Sequence, residues 1–251
     1  MALFVYVPSI TSFGGFALPN VLKLPVPTRG ARPRVSTPAG LPGVYSQGPL
    51  PAEKRITVSG KVVTTPGQTL ADARRELWAG LPFGPLRPLV LRADAASYFP
   101  CEVEGVTEGD SVADCWLNYD ATFLCPGGLE YSAASTTTAL AAGANALTSV
   151  GTWAATPIVT VNVTAAPAGG TITLTRGDGK FWTLRPLQVG TWALDALAET
   201  VTAPDGSDGW ASLAPGSQLL GLTPGANTLT LTTAGGASAG AASISWQEKY
   251  Q

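Results

Sequence analysis

The chain has 251 residues and no histidine, so no imidazole can act as general base, complete a Ser-His-Asp triad or ligate a metal. Charged residues make up only 13 %, about half the usual ~25 %, and 15 Lys+Arg against 17 Asp+Glu leave a net charge of −2. That balance excludes the basic footprint of a nucleic-acid binder, while 45 % apolar residues and seven Trp are enough to bury a real core. The sparse charge leaves two readings of the surface open: a neighbour covers much of it, or the chain is a stable Ala- and Thr-rich monomer.

Residues 1–50 read as an extended arm. Ala2–Val7 suits a short edge strand. Pro27 and Pro33 lie among Arg29, Arg32 and Arg34; proline fixes φ and removes a donor, so no helix forms there and any strand is interrupted. Such an arm lacks its own core and must lie on another surface, of this chain or of a neighbouring subunit. The three arginines suit phosphate binding, and suit salt bridges to a neighbour better. Residues 1–22 are uncharged, but no Lys or Arg precedes the apolar stretch and Pro8, Gly14, Gly15 and Pro19 interrupt it, so it reads as neither signal peptide nor membrane span.

Arg55–Val63 alternates apolar and polar residues, the mark of a strand with one wet face. Thr69 and Asp72 then have capping-box spacing, and Leu70, Ala73, Leu77, Trp78 and Leu81 recur at helical period. Gly80 and Pro82 mark the stop, and Arg74, Arg75 and Glu76 lie off the stripe. Leu86–Leu91, Tyr98–Val106 and Val112–Phe123 read as three further strands, with Asp94 and Gly109-Asp110 in the turns. Cys125-Pro126-Gly127-Gly128 breaks the pattern and sets the expected domain boundary, giving 1–128 and 129–251.

Charge thins beyond that point, from 11 basic and 10 acidic residues to 4 and 7. Ile158–Val163, Thr171–Thr175, Phe181–Leu184, Trp192–Leu197, Gln218–Leu220, Thr228–Thr232 and Ala242–Trp246 are short runs at regular spacing, separated by Gly, Pro and Asp. They predict a β-sandwich. Asp178-Gly179 is a tight-turn dipeptide, and Pro224-Gly225 precedes the next-to-last run in the same way. The fold class is therefore mainly β: an N-terminal sheet domain with one helix, and a C-terminal β-sandwich.

Candidate chemistry is thin. Cys101, Cys115 and Cys125 are odd in number and widely spaced, which argues against a disulfide framework or a CxxC metal site and for reduced, buried thiols. Glu102 and Glu104 share one strand face; glycosidases need two carboxylates, but a solvated face is the better reading. Arg176-Gly177-Asp178 spells an integrin-ligand tripeptide where Gly and Asp are expected for a turn. Asp205 and Asp208 sit in a Gly-rich loop that lacks the further ligands of a calcium site. Five Trp lie in the second part; Trp182, Trp192 and Trp210 are candidates for stacking on sugar rings, although aromatic residues are more often buried. No phosphate loop and no GxSxG elbow occurs, and neither a catalytic residue, a cofactor site nor a metal site is assigned.

The ordered signals carry a resemblance. Phe13-Gly14-Gly15-Phe16 with Leu18-Pro19-Asn20-Val21, the Gly/Pro arm and the strand Lys54-Arg55-Ile56-Thr57-Val58-Ser59-Gly60-Lys61-Val62 resemble the start of siphophage distal tail proteins. In that family a helix ending in a Leu-Trp-like pair follows, here Leu77-Trp78. Pro88-Leu89-Val90-Leu91 with Asp94, and Tyr98-Phe99-Pro100-Cys101-Glu102-Val103, are similar to its next strands. Pro157-Ile158-Val159-Thr160-Val161, Leu194-Asp195, Leu222-Thr223-Pro224-Gly225-Ala226-Asn227-Thr228-Leu229 and the ending Ile244–Tyr250 resemble its C-terminal part. Two departures stand out. Cys125-Pro126-Gly127 replaces the Asp-Pro-aromatic frequent at the family's junction, and the Ala/Thr/Ser tract 131–149 is long.

The resemblance implies a structural virion protein, not an enzyme: a hexameric ring at the distal end of a non-contractile phage tail. The first domain would form the ring around the DNA channel, and a galectin-like second domain would project outward. Implied partners are further copies of the chain, the tail tube protein, the tail-tip hub or tail-associated protein and the tape measure protein. DNA would be passing cargo only, with no membrane insertion and no cofactor. Synthesis in the host cytoplasm and residence at the virion tail tip follow. The rival reading is a carbohydrate-binding sandwich for host-surface adhesion, and a hydrolase built on Glu102 and Glu104 is a distant third.

Overall fold

The computed structural model describes residues 12–23, 31–36, 45–91, 96–112, 115–186 and 188–251. Two compact units emerge, Met1–Ala133 with Gln251, and Ala134–Tyr250. In chain order the elements are β1 (Ser12–Phe13), β2 (Phe16–Ala17), β3 (Val21–Lys23), β4 (Ala31–Ser36), β5 (Tyr45–Pro51), β6 (Lys54–Val63), α1 (Leu70–Gly80), β7 (Arg87–Val90), β8 (Ser97–Val112), β9 (Trp116–Cys125) and β10 (Glu130–Leu140). They continue with β11 (Gly143–Ser149), β12 (Ile158–Ala165), β13 (Thr171–Arg176), β14 (Phe181–Leu184), β15 (Gly190–Asp195), β16 (Thr200–Thr202), a 3-10 turn (Trp210–Ser212), β17 (Gly225–Ala234) and β18 (Ser238–Tyr250). The described residues are mainly β with one α-helix, as the patterning predicts.

In the first unit the strands pair antiparallel in the order β2-β1-β7-β8-β9-β6-β3. Seven strands about 4.8 Å apart would set the edges of a flat sheet about 29 Å apart. Yet β2 and β3, at opposite ends of that order, are joined only by Leu18, Pro19 and Asn20, which reach about 14 Å at most. The sheet must roll up. Its interior contacts agree: the Phe13 and Phe123 rings lie 5.1 Å apart, and the Tyr119 hydroxyl donates to the Pro19 carbonyl at 2.9 Å. Phe13, Ile56, Val58, Leu89, Leu117 and Phe123 fill the inside.

Helix α1 starts on a capping box. The Asp72 amide donates to Thr69 Oγ1 at 3.2 Å, and the Thr69 amide reaches back to the Asp72 carboxylate. Leu70, Ala73, Leu77 and Leu81 are buried as the period requires. Trp78 is not. It is 37 % exposed, packs its ring on Phe83 and donates its indole N–H to Glu108 at 3.3 Å. Gly80 is helical and does not end the helix through a left-handed cap; its missing side chain makes room for the Phe16 ring, 2.4 Å from where a Cβ would stand.

Three other expectations need correction. Gly109 and Asp110 lie within β8, where the register against β9 shifts between Glu108 and Ser111; a bulge, not a turn, uses them. Val112 ends β8 and does not open the next strand. Cys101 and Cys125 form a disulfide, and Cys115 is exposed and free. The physical reason is the register. Glu102 faces Leu124 across β8 and β9, so Cys101 and Cys125 come opposite each other, with Cα atoms 4.3 Å apart. Sequence spacing carries no trace of that pairing.

β4 and β5 form a separate antiparallel pair whose register shifts between Pro33 and Val35, so Arg32 and Arg34 lie on an irregular strand. Arg29, Asp94 and Ala2–Val7 fall outside the described residues.

The second unit holds two antiparallel sheets, β16-β15-β12-β18-β10 and β11-β17-β13-β14. Alternate side chains of both sheets enter one core, among them Val161, Trp192, Leu194 and Trp246 from the first and Ile172, Leu174, Trp182 and Leu229 from the second. The bland tract 131–149 supplies β10 and β11. Gln218–Leu220 is no strand: Gln218 donates to the Phe181 carbonyl at the edge of β14, and only Leu220 is buried.

Candidate functional site

Trp182 and Trp192, offered as stacking platforms, are each 1 % exposed and belong to the core, where no sugar can reach them. They alternate inward on β14 and β15, and the Trp192 indole is satisfied by the Gln188 carbonyl at 3.2 Å. Trp210 is different. It is 42 % exposed and lies beside an open cleft of about 330 Å³ lined by Thr200, Val201, Thr202, Gly206, Ser207, Asp208 and Trp210.

The local sequence builds this cleft. β16 presents Thr200 and Thr202 outward and buries Val201. The loop after it folds on its own carboxylates. Asp205 accepts from the Ser207 amide at 3.0 Å and its hydroxyl at 2.6 Å, and Asp208 accepts from the Trp210 amide at 3.0 Å. Hydrogen bonds from Ser207 hold the Asp205 carboxyl below its ordinary range, so it stays ionised. The Trp210 indole N–H donates to the Glu199 carbonyl at 3.2 Å, and Glu199 has a φ of +53°, a left-handed conformation rare outside glycine. The carbonyl thus anchors one edge of the ring.

The other candidates do not converge on chemistry. Glu104 is held by the Arg55 guanidinium at 2.9 Å, and Arg55 also reaches Glu53 at 3.3 Å. The register of β8 against β9 shifts between Val103 and Gly105, next to Glu104, and Glu102 has no part in this ion pair. Arg176 and Asp178 of the tripeptide bind each other, and Arg176 also donates to the Gly221 carbonyl. The hydrogen bond from Arg176 drives the Asp178 carboxyl well below the usual carboxylate range. Both charges of that tripeptide are spent inside the hairpin.

At the C-terminal end of α1 the Trp78 and Phe83 rings pack 6.3 Å apart, and Phe83 and Leu86 are exposed, to 57 % and 55 %. Among the described residues no group of three His, Cys, Asp or Glu could hold a metal ion, and no helix is long and apolar enough to cross a membrane.

No family model and no curated protein matches the sequence. Solved structures do match. The crystal structure of the Dit protein of phage SPP1, described as a paradigm of the hub adsorption apparatus of phages infecting Gram-positive hosts, aligns with a TM-score of 0.76 at 18 % identity, covering 96 % of this chain and 99 % of that one. Chains of the phage P2 baseplate in its activated conformation, with Ca and with Sr, align at 8 % identity with TM-scores of 0.47 and 0.49, covering 96 % of this chain and 91 % of those. Both units of this chain therefore share the fold of the SPP1 Dit protein.

Proposed function

We propose that the chain is a structural subunit of a phage tail tip, six copies of which close a ring at the distal end of a non-contractile tail. The ring joins the tail tube to the tip hub. The observation that carries this reading is the end-to-end match to the SPP1 Dit fold, which leaves almost nothing of either chain unmatched. The exposed side chains of Trp78, Phe83 and Leu86 and the scarcity of charge support it, because both suit a surface covered by a sister copy. A closed ring needs one patch to meet a different patch on the next subunit, in head-to-tail fashion. The subunit is made in the host cytoplasm and resides in the virion.

Negative-stain imaging and light scattering of the purified chain test the reading together. Six-fold rings with a matching mass are expected. A mass that stays monomeric at high concentration, with no rings on the grid, overturns it.

A further inference from the structure

We propose that the cleft at Trp210 binds a neutral saccharide. Stacking against a sugar needs an aromatic face that is exposed and held still. Trp210 offers both: its ring is 42 % exposed, and its indole N–H is fixed by the Glu199 carbonyl at 3.2 Å. That carbonyl belongs to a non-glycine residue with a φ of +53°, a conformation that persists only where the surroundings impose it. The ring is therefore preorganised, which lowers the entropic cost of capturing a ligand.

The polar groups around it select the ligand's chemistry. Thr200 and Thr202 line the cleft with hydroxyls that both donate and accept, and the Ser207 hydroxyl, whose proton goes to Asp205, can accept there, matching a polyol. Asp208 uses one oxygen for the Trp210 amide, and a carboxylate has capacity for further donors such as sugar hydroxyls. Among the described residues no Lys or Arg lines the cleft, so an anionic ligand finds no counter-charge from them. A quaternary ammonium ion would need a cage of several aromatic rings, and the lining holds one. The volume of about 330 Å³ falls at the small end of ligand sites, which suits a short saccharide segment. The inference concerns the second unit alone and does not rest on ring formation.

The test is a glycan array of neutral oligosaccharides, with sulfated oligosaccharides and choline as the charged arms, followed by calorimetric titration of the neutral glycan selected. Trp210→Ala should weaken binding by about tenfold or more, and Trp210→Phe, which keeps a stacking face but loses the indole N–H that anchors the ring to the Glu199 carbonyl, should fall between wild type and Trp210→Ala. Asp208→Asn keeps an acceptor for the Trp210 amide while removing the charge, and should also weaken binding by about tenfold. Near-ultraviolet circular dichroism confirms that each variant is folded. The proposal is overturned by silence across the neutral array, by preference for either charged arm, or by unchanged affinity in Trp210→Ala. Imaging the same sample for rings keeps the two readings apart: glycan binding without rings removes only the assembly, and rings without glycan binding remove only the cleft.

Discussion

Glu248 is a charged side chain that the second unit buries, with only 6 % exposure. Burial alone would raise its pKa. Three donors oppose that: the Ser149 hydroxyl at 2.6 Å, the Trp246 indole at 2.8 Å and the Gly151 amide at 2.9 Å. They outweigh desolvation and bring the carboxyl below its ordinary value. The sign of the linkage follows. A folded pKa below the unfolded one gives stability that is complete above the unfolded value of about 4.3 and disappears as pH falls through the folded value. Glu248→Ala leaves three buried donors without an acceptor and should cost about 2–3 kcal/mol at neutral pH, measured by urea unfolding. The gap between wild type and Glu248→Gln should shrink as pH drops below about 4. Lys249, next in sequence, shows the opposite case: burial pushes its pKa down while it donates to Thr156 at 2.9 Å. None of this can be read along the chain, because Ser149 and Gly151 lie about a hundred residues before Glu248. The Cys101–Cys125 bridge was hidden for the same reason.

At the scale of elements, two strands of the second unit begin on one device. Leu140-Ala141-Ala142-Gly143-Ala144-Asn145 leads into β11, and Leu222-Thr223-Pro224-Gly225-Ala226-Asn227 leads into β17. In each, the Asn side chain closes the turn from inside. Asn227 accepts from the Thr223 amide at 3.0 Å and donates to its carbonyl at 2.7 Å, and Asn145 does the same with Ala141, both at 2.8 Å. Gly143 and Gly225 have φ of +92° and +89°, which side-chain-bearing residues rarely adopt. The two strands pair antiparallel, Asn145 opposite Leu229 and Leu147 opposite Asn227, so the clasps sit at opposite ends of one ladder. Asn227→Ala should cost about 2 kcal/mol in chemical unfolding and Asn145→Ala less, because Asn227 is buried and Asn145 is not. Equal losses would contradict this account. The turn before β17 was legible from Pro224-Gly225, but its twin was not, since Ala141-Ala142 lacks the proline and the surrounding Ala/Thr tract looks featureless. Helix α1 was legible because its cap and its period are both local; only Trp78 departs, held outside by Phe83 and Glu108.

For the molecule as a whole, the mainly β character was legible because alternation records which strand face is wet. How the sheets pair was not, because strand order depends on contacts between distant segments. The cleft was half legible: Trp210 was singled out with two tryptophans that the core claims, and period-two burial on β14 and β15 is what separates them. Assembly belongs to this scale. Phe83→Asp combined with Leu86→Asp should abolish rings in negative stain while moving the unfolding free energy by no more than about 0.5 kcal/mol, since both side chains are already exposed. Rings that survive the double substitution would place the contact elsewhere. The rolled sheet of the first unit bears on how copies can meet. Its terminal strands β2 and β3 are two and three residues long and are tethered to each other by the short link Leu18–Asn20. β2 and β3 themselves offer an incoming extended segment little backbone to zip onto, and β3 meets the longer β6 only at Ser59 and Gly60. Ends that short are poor templates for edge-to-edge pairing with another chain.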